Sequence, residues 1–149
     1  MDSFLLSVVI PVYNEGAILR SSVERTIGVL SKEGINHKII LIDDGSKDNS
    51  WAEIKKLAQE YKNIMAVKLS RNFGKEGAIC AGLDTVGSDC CVIMDADMQH
   101  PPEYIPVMIE KWKNENCDIV EGVKTYRGKE PAVKKLGAWL FYKILNTLC

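Results

Sequence analysis

The sequence predicts an α/β fold, a doubly wound and mostly parallel sheet with helices on both faces. Short runs rich in Val, Ile and Leu alternate along the chain with stretches of helical periodicity. The first four apolar runs lack polar alternation, which is typical of parallel strands covered on both faces. The length of 149 residues suits one domain with its own core. Repeated strand–helix order implies right-handed crossovers.

Five segments have the strand pattern, and the first could be mistaken for a signal sequence. Asp2 precedes that apolar run and no basic residue occurs before Arg20, so a strand is the better interpretation. The predicted strands are Leu5–Val12, Lys38–Ile42, Met65–Ser70, Cys90–Met94 and Asp118–Val120.

Four stretches between and after these strands repeat apolar residues at intervals of three and four. Each stripe predicts an amphipathic helix that packs on the sheet. Pro101-Pro102 suits the first turn of the last of them. The stripes are Leu19, Val23, Ile27 and Leu30; Trp51, Ile54, Ala58 and Tyr61; Ile79, Leu83 and Val86; Ile105, Ile109 and Trp112.

The composition indicates a soluble globular protein. Hydrophobic residues make up 46% and the formal net charge is −1, so no basic excess points to a nucleic-acid partner. The five cysteines are odd in number and lack C-x-x-C spacing, which favours reduced thiols and a cytoplasmic location. No segment has the roughly 18 uninterrupted apolar residues of a membrane span.

The chain's most informative motif is Asp95-Ala-Asp97, directly after the fourth predicted strand. Two carboxylates one residue apart suit Mg²⁺ or Mn²⁺, which prefer oxygen ligands and are often completed by substrate phosphates. A turn or helix cap without metal is the alternative for this motif taken alone. Gln99 and His100 follow in the same loop, and His100 either contacts a phosphate or sugar or only shapes the turn.

The end of the first strand carries Tyr13 and Glu15 where a dehydrogenase would have G-x-G-x-x-G. Tyr13 could stack on a base and Glu15 could accept hydrogen bonds from ribose or base. A helix start capped by Asn14 is the alternative.

The second and third strands also end in polar residues. Asp43 or Asp44 could accept a hydrogen bond from a base N–H, or form a turn. Arg71 and Lys75, near a helix start, offer cations for a diphosphate, or are simply solvated. Ligands of such sheets collect outside the carboxyl ends of the strands. Together the strand ends therefore predict a site for base, ribose, phosphate and metal.

These motifs resemble the inverting GT-A glycosyltransferases of family two, from about Ser7 to Asn146. Arg71-Asn-Phe-Gly-Lys75 and Asp95-Ala-Asp-Met-Gln-His-Pro-Pro102 are similar to the branch that glycosylates polyprenyl phosphates, such as dolichol-phosphate mannosyltransferases and bactoprenol glucosyltransferases. The resemblance implies that Asp95, Asp97 and Gln99 are catalytic, with Asp97 and Asp95 holding Mg²⁺ or Mn²⁺. It places these residues at the nucleotide sugar: Pro11, Tyr13, Glu15, Asp43, Asp44, Arg71, Lys75 and Asp95.

The implied reaction moves a hexose from a UDP- or GDP-sugar to a polyprenyl phosphate with inversion. One alternative is a family-two transferase with a polysaccharide or other hydroxyl acceptor, which would need a general base. Another is a nucleotide-sugar-binding module without turnover. A sugar-nucleotide pyrophosphorylase is disfavoured, because its Gly-rich, basic loop would follow the first strand, where Tyr13 and Glu15 stand. An aspartyl-phosphate phosphatase is disfavoured, because its D-x-D motif would follow the first strand and not the fourth.

The C-terminal stretch has a different character. We predict a nucleotide-sugar-binding core over 1–126 and a basic amphipathic helix over 127–149, which lies on an anionic bilayer or packs on the sheet or a second subunit. Arg127 is a candidate contact for the acceptor phosphate. Members of the branch continue past the counterpart of Asn146, so we expect a C-terminally truncated chain. The full-length protein is expected at the cytoplasmic face of a membrane. A homo-oligomer is a further possible partner state, which the sequence does not decide.

Overall fold

The computed structural model describes residues 4–115 and 117–123. Strands and helices alternate through the first of these ranges, and a short 3-10 helix (Pro102–Tyr104) precedes the last α-helix. Pro102 thus stands at a helix start, as predicted. The strands are β1 (Leu6–Val12), β2 (His37–Asp43), β3 (Ile64–Lys68) and β4 (Cys90–Ile93), and the helices are α1 (Gly16–Lys32), α2 (Ser50–Glu60), α3 (Lys75–Leu83) and α4 (Ile105–Glu115).

The four strands form one parallel sheet in the order β3-β2-β1-β4. Its centre is β1 and β2, whose Val, Ile and Leu side chains are buried on both faces. One face packs against α1 and α2, and the other packs against α3. The predicted doubly wound α/β fold is confirmed.

Helix α3 uses a different face from Ile79 and Leu83 of the predicted stripe, whereas Val86, beyond the end of the helix, packs against the core as predicted. Its buried residues are Ala78 and Gly82, and Leu83 is 38% exposed. A Cβ built on Gly82 would lie 2.5 Å from Cγ1 of Val9 and 2.8 Å from Cδ1 of Ile42. The prediction was wrong because small residues let this helix approach the sheet more closely than large ones would.

Two other predictions were also wrong: that β4 is covered on both faces of the sheet, and that Asp118–Val120 forms a fifth strand. Cys91 is exposed and Ile93 is 44% exposed at the edge of the described sheet. Asp118–Val120 contains no strand, and Ile119 is 85% exposed, so no burial favours pairing there. The apolar surroundings of Cys80, Cys90, Cys91 and Cys117 in the sequence predict reduced core thiols, but Cys80 and Cys91 are exposed.

By its internal contacts the chain divides into residues 1–118 and 119–149. All the elements above belong to the first unit, and 119–123 have no helix or strand. Within the described ranges, no helix has the length and apolar character needed to cross a bilayer. The helix predicted over 127–149, with Arg127, lies outside those ranges.

Candidate functional site

A cleft of about 250 Å³ lies at the carboxyl ends of the strands. It receives residues from the loops that follow β1, β2, β3 and β4, so the four predicted strand ends converge on one place. Its lining comprises Pro11, Val12, Tyr13, Glu15, Asp44, Asn72, Gly74, Lys75, Ala78, Asp95, Ala96 and Asp97.

The loops after β1 and β2 are joined by hydrogen bonds. The backbone N–H of Asn14 donates to Oγ of Ser46 at 3.0 Å, and the N–H of Lys47 donates to Oδ1 of Asn14 at 2.8 Å. The N–H of Gly16 donates to Oδ2 of Asp48 at 3.1 Å. Asn14 adopts a left-handed conformation (φ 57°), which asparagine tolerates better than most residues. These contacts fix the backbone at Asn14 and Gly16, the neighbours of the cleft residues Tyr13 and Glu15.

The adjacent aspartates at the end of β2 have different environments. Asp44 is 3% exposed, and its carboxylate accepts the N–H of Phe73 at 2.7 Å and of Gly74 at 3.0 Å. Asp43 accepts the N–H of Ser46 at 3.2 Å through Oδ1, whereas its Oδ2 is buried without a partner. Asp44 therefore holds the loop before α3, and Asp43 keeps an acceptor free.

Gly45 lets these two loops touch. Its φ is +70°, and a Cβ there would lie 2.6 Å from the backbone N of Asn72 and 2.7 Å from the backbone C of Arg71. No other residue type combines this conformation with so little space. Arg71 does not line the cleft; its guanidinium lies 4.9 Å from the ring centre of Phe73.

The loop after β4 presents the two aspartates of the D-x-D motif. Nζ of Lys75 forms an ion pair with Oδ1 of Asp95 at 2.6 Å. Oδ1 of Asp97 accepts the backbone N–H of Gln99 at 3.0 Å. Nδ1 of His100 is 3.9 Å from Oδ2 of Asp95, too far for a hydrogen bond. The side chains of Gln99 and His100 are exposed on this loop.

Negative charge is concentrated at the inner wall of the cleft. Burial raises the pKa of Glu15, the carboxylates of Asp97 and Asp95 raise it further, and the Lys75 ammonium partly opposes them. Oε2 of Glu15 is buried without a partner. A cation in this region would therefore be favoured by three nearby carboxylates.

The residues fit Mg²⁺ or Mn²⁺ only in part. Asp95 and Asp97 supply carboxylate oxygens, the donors these cations prefer. In the parts of the chain that the structure describes, no group of three or more His, Cys, Asp or Glu side chains is placed to hold a metal. Mg²⁺ is commonly held by one or two carboxylates plus substrate phosphates, so a diphosphate would have to complete this shell.

We expect Glu15→Gln to raise the melting temperature at pH 7 and to leave it unchanged near pH 4. The folded state raises the pKa of Glu15, so it favours the protonated form. Stability is therefore lost as pH rises from the ordinary pKa of Glu to the raised value, and the neutral amide avoids this loss. Thermal unfolding from pH 4 to 8 measures the difference. Glu110→Gln on the exposed surface of α4 is the control. Parallel wild-type and variant profiles would contradict the assignment.

The structure gathers most of the predicted site residues and separates a few. Asp43 is fully buried beside the cleft, Arg71 stacks on Phe73, and Gln99 and His100 lie on the exposed loop. The predicted residues that line the cleft are Pro11, Tyr13, Glu15, Asp44, Lys75, Asp95 and Asp97.

Sequence reasoning missed one residue of the cleft, Asn72, and one set of contacts outside its lining, made by Asp48. Asn72 lines the cleft, and its Oδ1 accepts the N–H of Gly74 at 3.1 Å. Asp48 accepts the N–H groups of Gly16 and Ser50. In both cases the Asn or Asp side chain accepts the backbone N–H two residues later, which is a recognisable turn signal. That signal does not reveal that Asn72 lines the cleft or that Asp48 also contacts Gly16.

Known proteins are similar to this chain over most of its length. The family model "Glycosyl transferase family 2" matches residues 7–148. The chain belongs to this family. An uncharacterized glycosyltransferase of Synechocystis sp., sll0501, is 40% identical over 143 residues, which are 96% of this chain and 45% of the relative. The undecaprenyl-phosphate 4-deoxy-4-formamido-L-arabinose transferase of Shewanella sediminis is 38% identical over 142 residues, 95% of this chain and 42% of the relative. The chain thus spans less than half the length of these family members.

A solved structure supports the same fold. The mannosyltransferase PcManGT from Pyrobaculum calidifontis, in complex with GDP-Man and Mn²⁺, superposes with a TM-score of 0.60 at 21% identity. The match covers 73% of this chain and 32% of that one. At this identity the likeness confirms the glycosyltransferase fold, and the site chemistry rests on the residues themselves.

Proposed function

We propose that the full-length protein moves a sugar from a nucleoside-diphosphate donor to a polyprenyl phosphate, with inversion and with Mg²⁺ or Mn²⁺. Two similarities support the proposal: relatives named as undecaprenyl-phosphate transferases, and a structural neighbour solved in complex with GDP-Man and Mn²⁺. The sequence predicts a hexose, whereas the 4-deoxy-4-formamido-L-arabinose of the named relatives is a pentose derivative.

One observation carries this function more than any other: Glu15, Lys75, Asp95 and Asp97 meet in one cleft at the start of α3. The first turn of that helix offers N–H groups and a positive dipole end, which favour an anionic group. The cleft thus combines donors for a diphosphate with carboxylates for a cation. A pocket for an uncharged ligand would need neither.

The nucleoside would lie between the first two loops. Tyr13 is 43% exposed at the cleft, where its ring can stack on a base. The unpartnered Oδ2 of Asp43 is the acceptor best suited to a base N–H, since a buried carboxylate oxygen without a partner is unfavourable until a donor reaches it. The oxygens of Asp44 are already occupied by the backbone of Phe73 and Gly74.

The acceptor chemistry requires little from the protein. A phosphate monoester has a second pKa near 6 and is largely dianionic at neutral pH. Its oxygen can form the bond to the anomeric carbon as the bond to the diphosphate breaks, and no proton has to be removed. The chain's residues therefore position donor and acceptor rather than act as a general base.

Stabilising the leaving group is the remaining task. Asp95 and Asp97 would hold the cation, which would offset the charge that develops on the released nucleoside diphosphate. Lys75 and the N–H groups at the start of α3 would add hydrogen bonds to the same diphosphate. Gln99 is proposed to face the sugar, and His100 and Arg127 to contact phosphate. Because a polyprenyl phosphate resides in a bilayer, we place the full-length protein at the cytoplasmic face of a membrane.

A panel of nucleotide sugars tests the donor assignment on this chain. Calorimetric titration with UDP-glucose, GDP-mannose and UDP-4-deoxy-4-formamido-L-arabinose, each with Mn²⁺ or with EDTA, should give one preferred donor whose affinity depends on Mn²⁺. Failure of every donor to bind with Mn²⁺ would refute the site. Transfer to short-chain polyprenyl phosphate by the full-length protein then tests the acceptor, and donor binding without transfer to that acceptor would favour a hydroxyl acceptor or a binding module.

A further inference from the structure

The only ion pair inside the cleft, among the described residues, joins Lys75 to Asp95. The Nζ–Oδ1 distance is 2.6 Å, and the side chains are 54% and 26% exposed. Lys75 is the first residue of α3, whereas Asp95 follows β4, so the pair joins the start of that helix to the loop after β4. Its ammonium is the positive charge nearest to the predicted cation ligands that the structure shows.

This pair competes with a metal for Asp95. The ammonium 2.6 Å from Oδ1 occupies one of the lone-pair sites of Asp95, and its positive charge repels a divalent cation at the same carboxylate. The competition is not severe, because a half-exposed ion pair is weak and the lysine side chain is flexible. Lys75 can therefore leave Asp95 when another anion becomes available within its reach.

We propose that Lys75 is a displaceable counter-ion that couples cation binding to donor binding. It neutralises Asp95 before the donor arrives and then transfers to the donor's diphosphate, which frees Asp95 for the cation. This inference rests on the proposed function, and it assigns Lys75 a positioning role toward Asp95 as well as toward phosphate. The consequence is synergy: cation alone binds weakly, and cation with nucleoside diphosphate binds strongly.

Two further features of the cleft fit this coupling. No set of three or more metal-binding side chains is present in residues 4–115 and 117–123, so the described protein offers only part of a coordination shell. Asp44 also fixes the backbone of Phe73 and Gly74, which precede Lys75, so the lysine's backbone stays in place while its side chain moves. By thermodynamic linkage, the factor by which cation strengthens nucleotide binding equals the factor by which nucleotide strengthens cation binding.

The test measures Mn²⁺ binding and nucleotide binding separately in Lys75→Met. Electron paramagnetic resonance of free Mn²⁺ should show that Mn²⁺ alone binds about two- to fivefold more tightly, because its competitor is gone. Calorimetry should show that the nucleoside diphosphate preferred by the chain binds about tenfold more weakly in the presence of Mn²⁺, because a charged phosphate contact is lost. The Mn²⁺-induced gain in nucleotide affinity should therefore shrink.

Two controls separate this role from a structural one. Lys111→Met removes a lysine of equal exposure (54%) that pairs with Glu115 outside the cleft, and it should change neither affinity. In an Asp95→Asn background, Lys75→Met should no longer tighten Mn²⁺ binding, since the pair is already broken.

The outcomes distinguish the inference from the proposed function. If wild-type chain shows Mn²⁺-dependent nucleotide binding but Lys75→Met binds Mn²⁺ alone no more tightly, the counter-ion role is refuted and the proposed function stands. If wild-type chain shows no Mn²⁺-dependent nucleotide binding, both are refuted. Tighter Mn²⁺ binding in Lys75→Met together with weaker nucleotide binding supports the coupling.

Discussion

Replacing Asp97 with alanine should weaken donor binding in the presence of Mn²⁺ by about 100-fold and should make the remaining affinity insensitive to EDTA. Loss of a cation between carboxylate and diphosphate removes several kcal/mol of favourable interaction, and each 1.4 kcal/mol is a factor of ten. The fold should survive, because the Asp97 side chain makes one local hydrogen bond, to the backbone N–H of Gln99. Calorimetric titration of the preferred donor measures the loss.

A second substitution separates charge from loop geometry at this position. Asp97→Asn keeps an oxygen that can accept the N–H of Gln99 but removes the negative charge. It should lose metal-dependent donor binding to a similar extent as Asp97→Ala, whereas Asp84→Ala, an exposed aspartate after α3, should bind as wild type. If Asp97→Asn retains the full Mn²⁺ effect, the loop's conformation rather than the carboxylate charge explains the alanine result.

Asp44→Ala should lower the free energy of unfolding by about 3 kcal/mol, a large part of the total stability of a small domain. Alanine leaves the N–H groups of Phe73 and Gly74 without the carboxylate that accepts them at 2.7 and 3.0 Å. Hydrogen bonds to a buried charged group contribute roughly 1.5–3 kcal/mol each, and local relaxation recovers part of the loss. Urea denaturation followed by circular dichroism measures the change.

The control for Asp44 is again Asp84→Ala, which should change stability by no more than about 0.5 kcal/mol. Asp44→Asn, which keeps one acceptor oxygen, should lie between wild type and Asp44→Ala. An unfolding free energy for Asp44→Ala within about 0.5 kcal/mol of wild type would show that the loop before α3 does not depend on this carboxylate.

The sequence was sufficient to predict the strands and the convergence of their ends, because both follow from local pattern and from a general property of parallel sheets. Val, Ile and Leu runs located β1 and β2 to within one residue at each end. The loops that follow the strands then had to share one rim of the sheet. Asp95 and Asp97 lie in the same cleft as Glu15 for that reason.

Contacts between distant segments could not be predicted in the same way. Asp43 and Asp44 are chemically identical neighbours, and only the approach of the loop at Phe73 and Gly74 decides which of them has both carboxylate oxygens occupied. The face of α3 was predicted wrongly because apolar periodicity favours large residues, whereas the space above Ile42 admits only Gly82.

The strand predicted at Asp118–Val120 shows the complementary error. Its β-branched residues have the right local propensity, yet Ile119 is 85% exposed and the segment has no strand. Strand propensity reflects burial and cross-strand packing as much as the backbone, so the two β-branched residues Ile119 and Val120 are not sufficient on their own.

The anomalous scattering of Mn²⁺ in crystals of this chain grown with Mn²⁺ and its preferred nucleoside diphosphate tests the central claim most directly. We expect one strong peak in the cleft, held by Asp95, Asp97 and the diphosphate, with Nζ of Lys75 moved from Asp95 to the diphosphate. A nucleotide bound outside the cleft, or a Mn²⁺ peak that contacts neither Asp95 nor Asp97, would contradict it.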